Sequence, residues 1–405
     1  MTLAPSGTPI GLLEMENIEQ PARRLPSLPL ARADVAEPLA IFLATRLGLI
    51  LVAYMGLVFL PSRSTPDVWH EFPNNLFLDG WLRWDSGWFL SIVRVGYEVH
   101  PLPLPSNVAF FPLYPLAIKA LSLVLPDALA ALVVANLAFL LAVFLFYRLV
   151  AALYNATVAR RATLLLCLSP FAFFLGAAYS EPLFLLTSVA TFYFGERQRW
   201  LLAALCALLG SATRLVGLGL FPALVLLYWE SVGFDLRRVR LNAGWTLLAP
   251  LGTLAYEVYL YVRFGDLLLL PHVETAQGWS LQTTWDLSAE RELIAALLQA
   301  NLAGGTPHLL TTVTVVLATA FILASLAAAR WLRPSYAIYA LGILLIPYFS
   351  TNLDSLGRFC AVAFPVFILA ARFLRHELAF QLVLLVSALL LPLFTVLFAN
   401  WYWAG

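Results

Sequence analysis

Charged residues are scarce in this sequence. Only 12% of its 405 residues are Asp, Glu, Lys or Arg, and 61% are hydrophobic, whereas soluble domains carry about 25% charged residues. The mean hydropathy is +0.85. This shortage excludes an ordinary soluble domain, and a net charge of +1 gives no indication of nucleic-acid binding. Because the apolar runs have helix length, the composition predicts an all-α polytopic membrane protein with about 11–12 hydrophobic segments.

Cysteine and the common catalytic motifs are also rare or missing. The three cysteines, Cys167, Cys206 and Cys360, lie in apolar runs and form neither a disulfide framework nor a metal-ligand spacing. The sequence has no Walker loop, HExxH, GxSxG or paired-acid DxD motif, and its five histidines are scattered. These absences disfavour nucleotide-driven and zinc chemistry, so no cofactor and no metal site are expected.

The order of apolar and basic stretches predicts the organisation of the chain. Residues 1–37 lack the apolar core of a signal peptide, which predicts a flexible cytosolic tail before a single transmembrane domain over 38–405. Arginine clusters separate the later apolar segments, and by the positive-inside rule they are predicted to be cytoplasmic. The clusters lie near residues 23–32, 148–161, 197–199, 237–240, 330–333 and 372–375.

This orientation places residues 61–109 in an external loop and makes 110–125 a re-entrant or interfacial segment. The alternative is twelve full crossings. Short segments beside Pro112, Pro182, Gly217 and Pro365 predict broken or half-length helices, which lipid tolerates only around a polar cavity.

One acid stands out in the predicted external loop, where residues 81–97 read WLRWDSGWFLSIVRVGY. Asp85 has two interpretations. It is typical of an N-cap that starts a surface helix, and the local pattern alone favours that. It is also suited to act as a general base in a pocket whose aromatic walls, including Trp84, bind a sugar or a lipid.

Three further charges lie at the edges of apolar segments. Glu181, in YSEP, either starts a helix after Ser180 or faces a cavity, because buried acids near a membrane are costly and usually functional. Arg214 ends an apolar run, where a cation suits the helix dipole, whereas Arg358 begins one. Two guanidiniums at a cavity mouth suit a phosphate, but Asp354 could equally neutralise Arg358 as a structural pair.

Five sequence blocks together resemble the GPI mannosyltransferase II (PIG-V) family of GT-C glycosyltransferases, in the form of a bacterial member. The blocks are RWDSGWFLSIVRVGY, AFFPLYP, GAAYSEPLF, ATRLVG and SLGRFCAVAFP, and they occur in the family's order between about residues 38 and 365.

This resemblance implies a multi-pass enzyme of a bacterial plasma membrane with its active site on the external face. The enzyme would transfer a sugar, by family precedent mannose, from a polyprenyl-phosphate donor to a glycolipid or glycan acceptor, with inversion. The implied catalytic base is Asp85, and the implied donor-phosphate ligands are Arg214 and Arg358. The remaining candidate substrate-binding residues are Trp84, Tyr97, Phe111, Tyr114, Tyr179, Ser180, Glu181 and His272.

Two other functions fit parts of the same pattern. A lipid or glycolipid transporter also needs broken helices and intramembrane charges, although the sequence shows no internal repeat. A GT-C enzyme that uses another polyprenyl-phosphate sugar is the second alternative.

Overall fold

The computed structural model describes residues 33–63, 68–101, 104–275, 279, 282–283, 285–299, 306–351 and 353–404. These residues form seventeen α-helices and five short 3-10 helices, with no strand among them beyond one isolated bridge between Thr283 and Ser350. The α-helices are α1 Ala33–Phe59, α2 Leu76–Asp79, α3 Ser86–Val95, α4 Leu113–Leu121, α5 Asp127–Leu153, α6 Ala156–Cys167, α7 Glu181–Gly195, α8 Trp200–Ser211, α9 Leu220–Ser231, α10 Leu251–Phe264, α11 Leu269–Thr275, α12 Ser288–Gln299, α13 Thr306–Trp331, α14 Pro334–Tyr348, α15 Leu356–Val362, α16 Phe364–Phe373 and α17 Glu377–Ala399. The 3-10 helices are Asn107–Ala109, Ala172–Leu175, Leu215–Gly219, Leu236–Arg238 and Leu241–Leu248.

Four of the described helices, α1, α5, α13 and α17, are long and apolar enough to cross a membrane. The α15–α16 pair, bent by 65°, is either a fifth, broken span or a re-entrant loop. The predicted all-α polytopic fold class is therefore confirmed. The helix α1 begins at Ala33, inside the predicted tail. The prediction for residues 1–32 lies outside the described residues.

Broken and half-length helices occur where proline and glycine predicted them, with one difference in detail. Pro365 follows the break between α15 and α16, and Gly217 lies in the 3-10 helix that separates α8 from α9. Pro112 and Pro182 instead stand at the starts of α4 and α7. Proline lacks the N–H that the first turn leaves unpaired, so it starts these helices and does not interrupt them.

The long helices run between two ends of the bundle. At one end, α5 starts at Asp127, 2.6 Å from Arg94, and α17 finishes at Ala399, whose carbonyl accepts a hydrogen bond from Arg83. At the opposite end, α17 starts at Glu377. We call the first the loop end, because residues 68–101 lie there, and the second the far end.

The far end holds its own polar contacts. Tyr147 of α5 donates to Glu37 of α1 at 2.7 Å, and Arg161 of α6 pairs with Glu377 at 2.5 Å. Arg333 pairs at 3.1 Å with Glu196, which follows the last residue of α7. Several of the arginine clusters that were predicted to be cytoplasmic therefore share one end of the bundle.

Segment 110–125 does not traverse the bundle. Its helix α4 has nine residues and rises about 14 Å, against roughly 30 Å for a hydrocarbon core. Lys119, near the end of α4, donates to the Val93 carbonyl of the first loop at 2.8 Å. Both termini of α4 thus stay at the loop end, in agreement with a re-entrant or interfacial segment.

Candidate active site

Asp85 stands immediately before α3, but its side chain does not cap that helix. The carboxylate oxygen Oδ2 lies 2.5 Å from Nη1 of Arg358, and the backbone N–H donates to the Tyr179 hydroxyl at 3.3 Å. Trp84, the preceding residue, has a φ of +53°. Asp85 therefore takes the predicted N-cap position but does not cap the helix with its side chain. Its carboxylate instead contacts an arginine 273 residues away in sequence.

Glu181 is the first residue of α7 and is fully buried. Its oxygen Oε1 accepts a hydrogen bond from Arg358 Nε and also lies 2.5 Å from Arg214 Nη1. Its oxygen Oε2 is buried and has no hydrogen-bond partner among the described residues. Ser180 occupies the N-cap position without capping the helix, and its Oγ accepts from Arg214 at 3.3 Å.

Arg358 joins the two acids. It lies near the start of α15 with 10% of its side chain exposed, and its guanidinium packs over the Tyr179 ring at 5.0 Å. Its ion pairs to Asp85 and Glu181 show that the two carboxylates neutralise it together. Asp354, the partner considered from sequence, accepts a hydrogen bond from the Thr311 hydroxyl at 3.2 Å.

These four ionised side chains form one chain of contacts, Asp85–Arg358–Glu181–Arg214, at the loop end of the bundle. Two carboxylates balance two guanidiniums, so the group carries no formal net charge. Such pairing is what allows charges to persist in a low-dielectric setting. Each guanidinium has five N–H donors in a fixed fork. Donors that are not used in these ion pairs can therefore bind an anionic group.

The other predicted substrate-binding residues have different surroundings. Tyr97 and Phe111 pack on Tyr256, at ring-centroid distances of 5.3 and 5.0 Å, in a separate apolar cluster. Tyr114 is fully buried and donates to the Ala131 carbonyl at 2.9 Å. His272 is exposed on α11, 2.8 Å from Asp266. The structure therefore brings Tyr179, Ser180 and Glu181 to Asp85, whereas it gives Tyr114 a core position and His272 a surface position.

Sequence reasoning missed a second buried ion pair, just before Asp85. Arg83 and Asp79 are both fully buried and lie 2.9 Å apart, and His70 contacts the same Asp79 oxygen at 2.6 Å. Burial favours a raised pKa for Asp79, but the His70 hydrogen bond and the Arg83 charge outweigh it and hold the pKa below its usual value of 3.8. The i, i+4 spacing of an acid and an arginine was the available signal.

Among the described residues, no three His, Cys, Asp or Glu side chains group as a metal site.

Comparison with known proteins bears on this site. A family model described as Mannosyltransferase (PIG-V) matches residues 41–223. Residues 41–223 are PIG-V-like. The PIG-V-like region contains Asp85, Glu181 and Arg214, whereas Arg358 lies beyond it.

Curated relatives agree with this family. GPI mannosyltransferase 2 of Yarrowia lipolytica is 27% identical over 227 residues, which are 56% of this chain and 60% of that protein. GPI mannosyltransferase 2 of Cryptococcus neoformans is 34% identical over 172 residues, which are 38% of this chain and 39% of that protein. The chain thus spans less than two thirds of the length of these relatives.

Solved structures also show similarity at low identity. The Archaeoglobus fulgidus oligosaccharyltransferase in its apo form has a TM-score of 0.45 and 13% identity, covering 90% of this chain and 56% of that one. The same protein tethered to an acceptor peptide has a TM-score of 0.42 and 11% identity, covering 89% of this chain and 55% of that one.

Proposed function

We propose that this chain is an integral-membrane GT-C mannosyltransferase. It moves mannose from a polyprenyl-phosphate donor to a lipid-linked or glycan acceptor at the external face of the membrane, with inversion at the anomeric carbon. The observation that supports this most strongly is the contact between Asp85 and Arg358, because it joins an acid of the PIG-V-like region to a guanidinium that Glu181 links to that of Arg214.

In this mechanism Asp85 is the general base. The acceptor hydroxyl oxygen attacks the anomeric carbon as its proton passes to the Asp85 carboxylate, which must lie within about 3 Å of that hydroxyl. A new glycosidic bond forms on one face of the sugar while the bond to the phosphate oxygen breaks on the other. A single displacement of this kind inverts the anomeric centre.

Arg214 and Arg358 stabilise the leaving group. The electron pair of the broken bond goes to the polyprenyl-phosphate oxygen, whose negative charge grows in the transition state. Guanidinium forks in a mouth that excludes water are suited to absorb that charge. Glu181 keeps both arginines in place, because its Oε1 contacts each of them.

The contact between Arg358 and Asp85 gives the reaction an order, in which the donor binds before Asp85 acts as the base. While Arg358 holds Asp85, the carboxylate oxygen Oδ2 is occupied by an ion pair. A donor phosphate offers Arg358 a competing anion. Movement of the guanidinium towards that phosphate would free Asp85 when the donor is in place.

The test is transfer by an Asp85→Asn variant. Purified protein in lipid vesicles receives polyprenyl-phosphate-[³H]mannose and membrane glycolipid acceptors. We expect Asp85→Asn to lower the transfer rate by about 10²–10⁴-fold, the usual contribution of a general base, while donor binding is retained. Asp235→Asn, an acid at the start of the Leu236–Arg238 3-10 helix, should transfer like the wild type.

Two results would contradict the proposal. Equal turnover by Asp85→Asn and wild type would remove Asp85 as the base. Movement of label between leaflets without a new glycosidic bond would indicate a transporter instead.

A further inference from the structure

The segment after α17 is held against the first loop. The carbonyl of Ala399 accepts from Arg83 Nε at 2.9 Å, and the carbonyl of Asn400 accepts from the Arg63 backbone N–H at 3.0 Å. The buried Arg83 guanidinium also lies 4.9 Å from the ring of Trp401. Residues 399–403 therefore have a fixed place beside the residues that lead to Asp85.

Two tryptophans in this contact have an unusual backbone. Trp84 has a φ of +53° and Trp401 a φ of +67°, and their rings meet edge to face at 5.6 Å. A bulky residue in the left-handed region is a genuine outlier, and such strain concentrates at functional sites. Here Trp84 directly precedes the proposed base, Asp85, and Trp401 contacts Trp84.

Trp403 has neighbours on both sides of the Asp85–Arg358 pair. Its ring lies 5.5 Å from that of Trp84, which precedes Asp85, and 6.1 Å from that of Phe174, over which Arg358 packs at 5.8 Å. Its indole N–H donates to the carbonyl of Asp354, four residues before Arg358. Trp403 is half-buried, so part of the indole is left for another molecule.

We propose that Trp403 is a substrate-contacting residue whose indole packs against the pyranose ring of the donor or the acceptor sugar. This inference rests on the proposed function. A sugar ring presents apolar C–H groups on one face, and an aromatic ring covers them while the carboxylate and guanidiniums bind polar groups. Trp403 lies far outside the matched family region, which ends at residue 223.

The experiment compares Trp403→Phe with Trp403→Leu. Both variants lose the N–H that donates to Asp354, but only the leucine variant loses the aromatic face. We expect Trp403→Leu to raise one KM about three- to tenfold relative to Trp403→Phe, with a smaller change in kcat, the size of an aromatic contact. A raised donor KM identifies the transferred sugar as the one that packs on Trp403, and a raised acceptor KM identifies the accepting sugar. Trp245→Leu, in the 3-10 helix Leu241–Leu248 with 44% of its surface exposed, is the matched control and should leave both KM values unchanged.

A second measurement does not require the leucine variant to fold or the enzyme to turn over. In Asp85→Asn protein labelled with 5-fluorotryptophan, the ¹⁹F resonance that disappears in Trp403→Phe is assigned to Trp403. We expect polyprenyl-phosphate-mannose or a mannose-terminated glycolipid to shift it, whereas polyprenyl phosphate without sugar should not. If neither sugar-bearing lipid shifts this resonance, or if folded leucine and phenylalanine variants have equal KM values, the inference is overturned. Absence of transfer by the wild-type protein would instead overturn the proposed function.

Discussion

Glu181 forms ion pairs with two arginines through a single carboxylate. One of its oxygens contacts both Arg214 and Arg358, and the side chain has no exposure to solvent. Removing one partner of a buried ion pair typically costs about 3–5 kcal/mol, because the remaining charge is left uncompensated. Here two arginines would lose the same partner at once.

This arrangement predicts the effect of Glu181→Gln, which keeps the shape and removes the charge. We expect a loss of about 3–5 kcal/mol in the free energy of unfolding, and a fall of at least tenfold in kcat because the two guanidiniums lose their common anchor. Thermal unfolding in detergent and mannose transfer measure these effects.

The matched control is Glu377→Gln, which also removes a carboxylate paired with an arginine. That side chain is 62% exposed at the far end, and exposed pairs contribute about 0–1 kcal/mol. Similar losses for the two variants would show that the buried Glu181 contacts contribute no more than an exposed ion pair does.

The four charged residues could be singled out individually from the sequence, but their pairing could not. Asp85, Glu181, Arg214 and Arg358 stand out because charge is costly in apolar surroundings. The Arg358 contacts span 177 and 273 residues of sequence, and no local pattern encodes such distances. Trp403 was missed for a related reason, since tryptophan near the end of an apolar helix is typical of a membrane interface.

At the scale of elements, short connecting helices position the arginines. Arg214 precedes the 3-10 helix Leu215–Gly219, which packs on α8, and Arg358 lies in α15, before the break that leads to α16. Proline and glycine predicted that helices would break in these regions. The 3-10 geometry depended on close packing that sequence does not reveal.

Gly217 is where that packing is closest. A Cβ at this position would lie 2.3 Å from the carbonyl oxygen of Gly210 in α8, which is far inside contact distance. We therefore expect Gly217→Ala to push the 3-10 helix away from α8. The cost should be about 1–3 kcal/mol of stability, as for other overpacked sites.

Because Arg214 is anchored to this helix, the same substitution should also weaken donor binding, seen as a higher donor KM. The comparison is Gly244→Ala, in the Leu241–Leu248 3-10 helix, where a Cβ would meet nothing within 4 Å. An unchanged unfolding temperature and donor KM in Gly217→Ala would mean that Arg214 is positioned independently of this contact.

At the scale of the whole molecule, the four-charge group and several of the arginine clusters lie at opposite ends of the bundle. The loop end holds Asp85, Glu181, Arg214 and Arg358. The far end holds arginines that serve as links between helices, such as Arg333 to Glu196 and Arg372 to the carbonyl of Trp331. The sequence predicted this separation from the arginine clusters alone, because basic residues mark one side of a membrane.

The positive-inside rule then predicts which end faces outward. Glu98 is exposed in the first loop, and Arg237 is exposed after α9, beyond the far-end contact in which Glu230 accepts from Ser335. In intact cells we expect Glu98→Cys to react with a membrane-impermeant maleimide, and Arg237→Cys to react only after the membrane is permeabilised. The parental protein gives the background from Cys206, which is partly exposed. Labelling of Arg237→Cys but not of Glu98→Cys in intact cells would place the four-charge site on the cytoplasmic side, where the lipid-linked donor and the acceptor would have to be presented from within the cell.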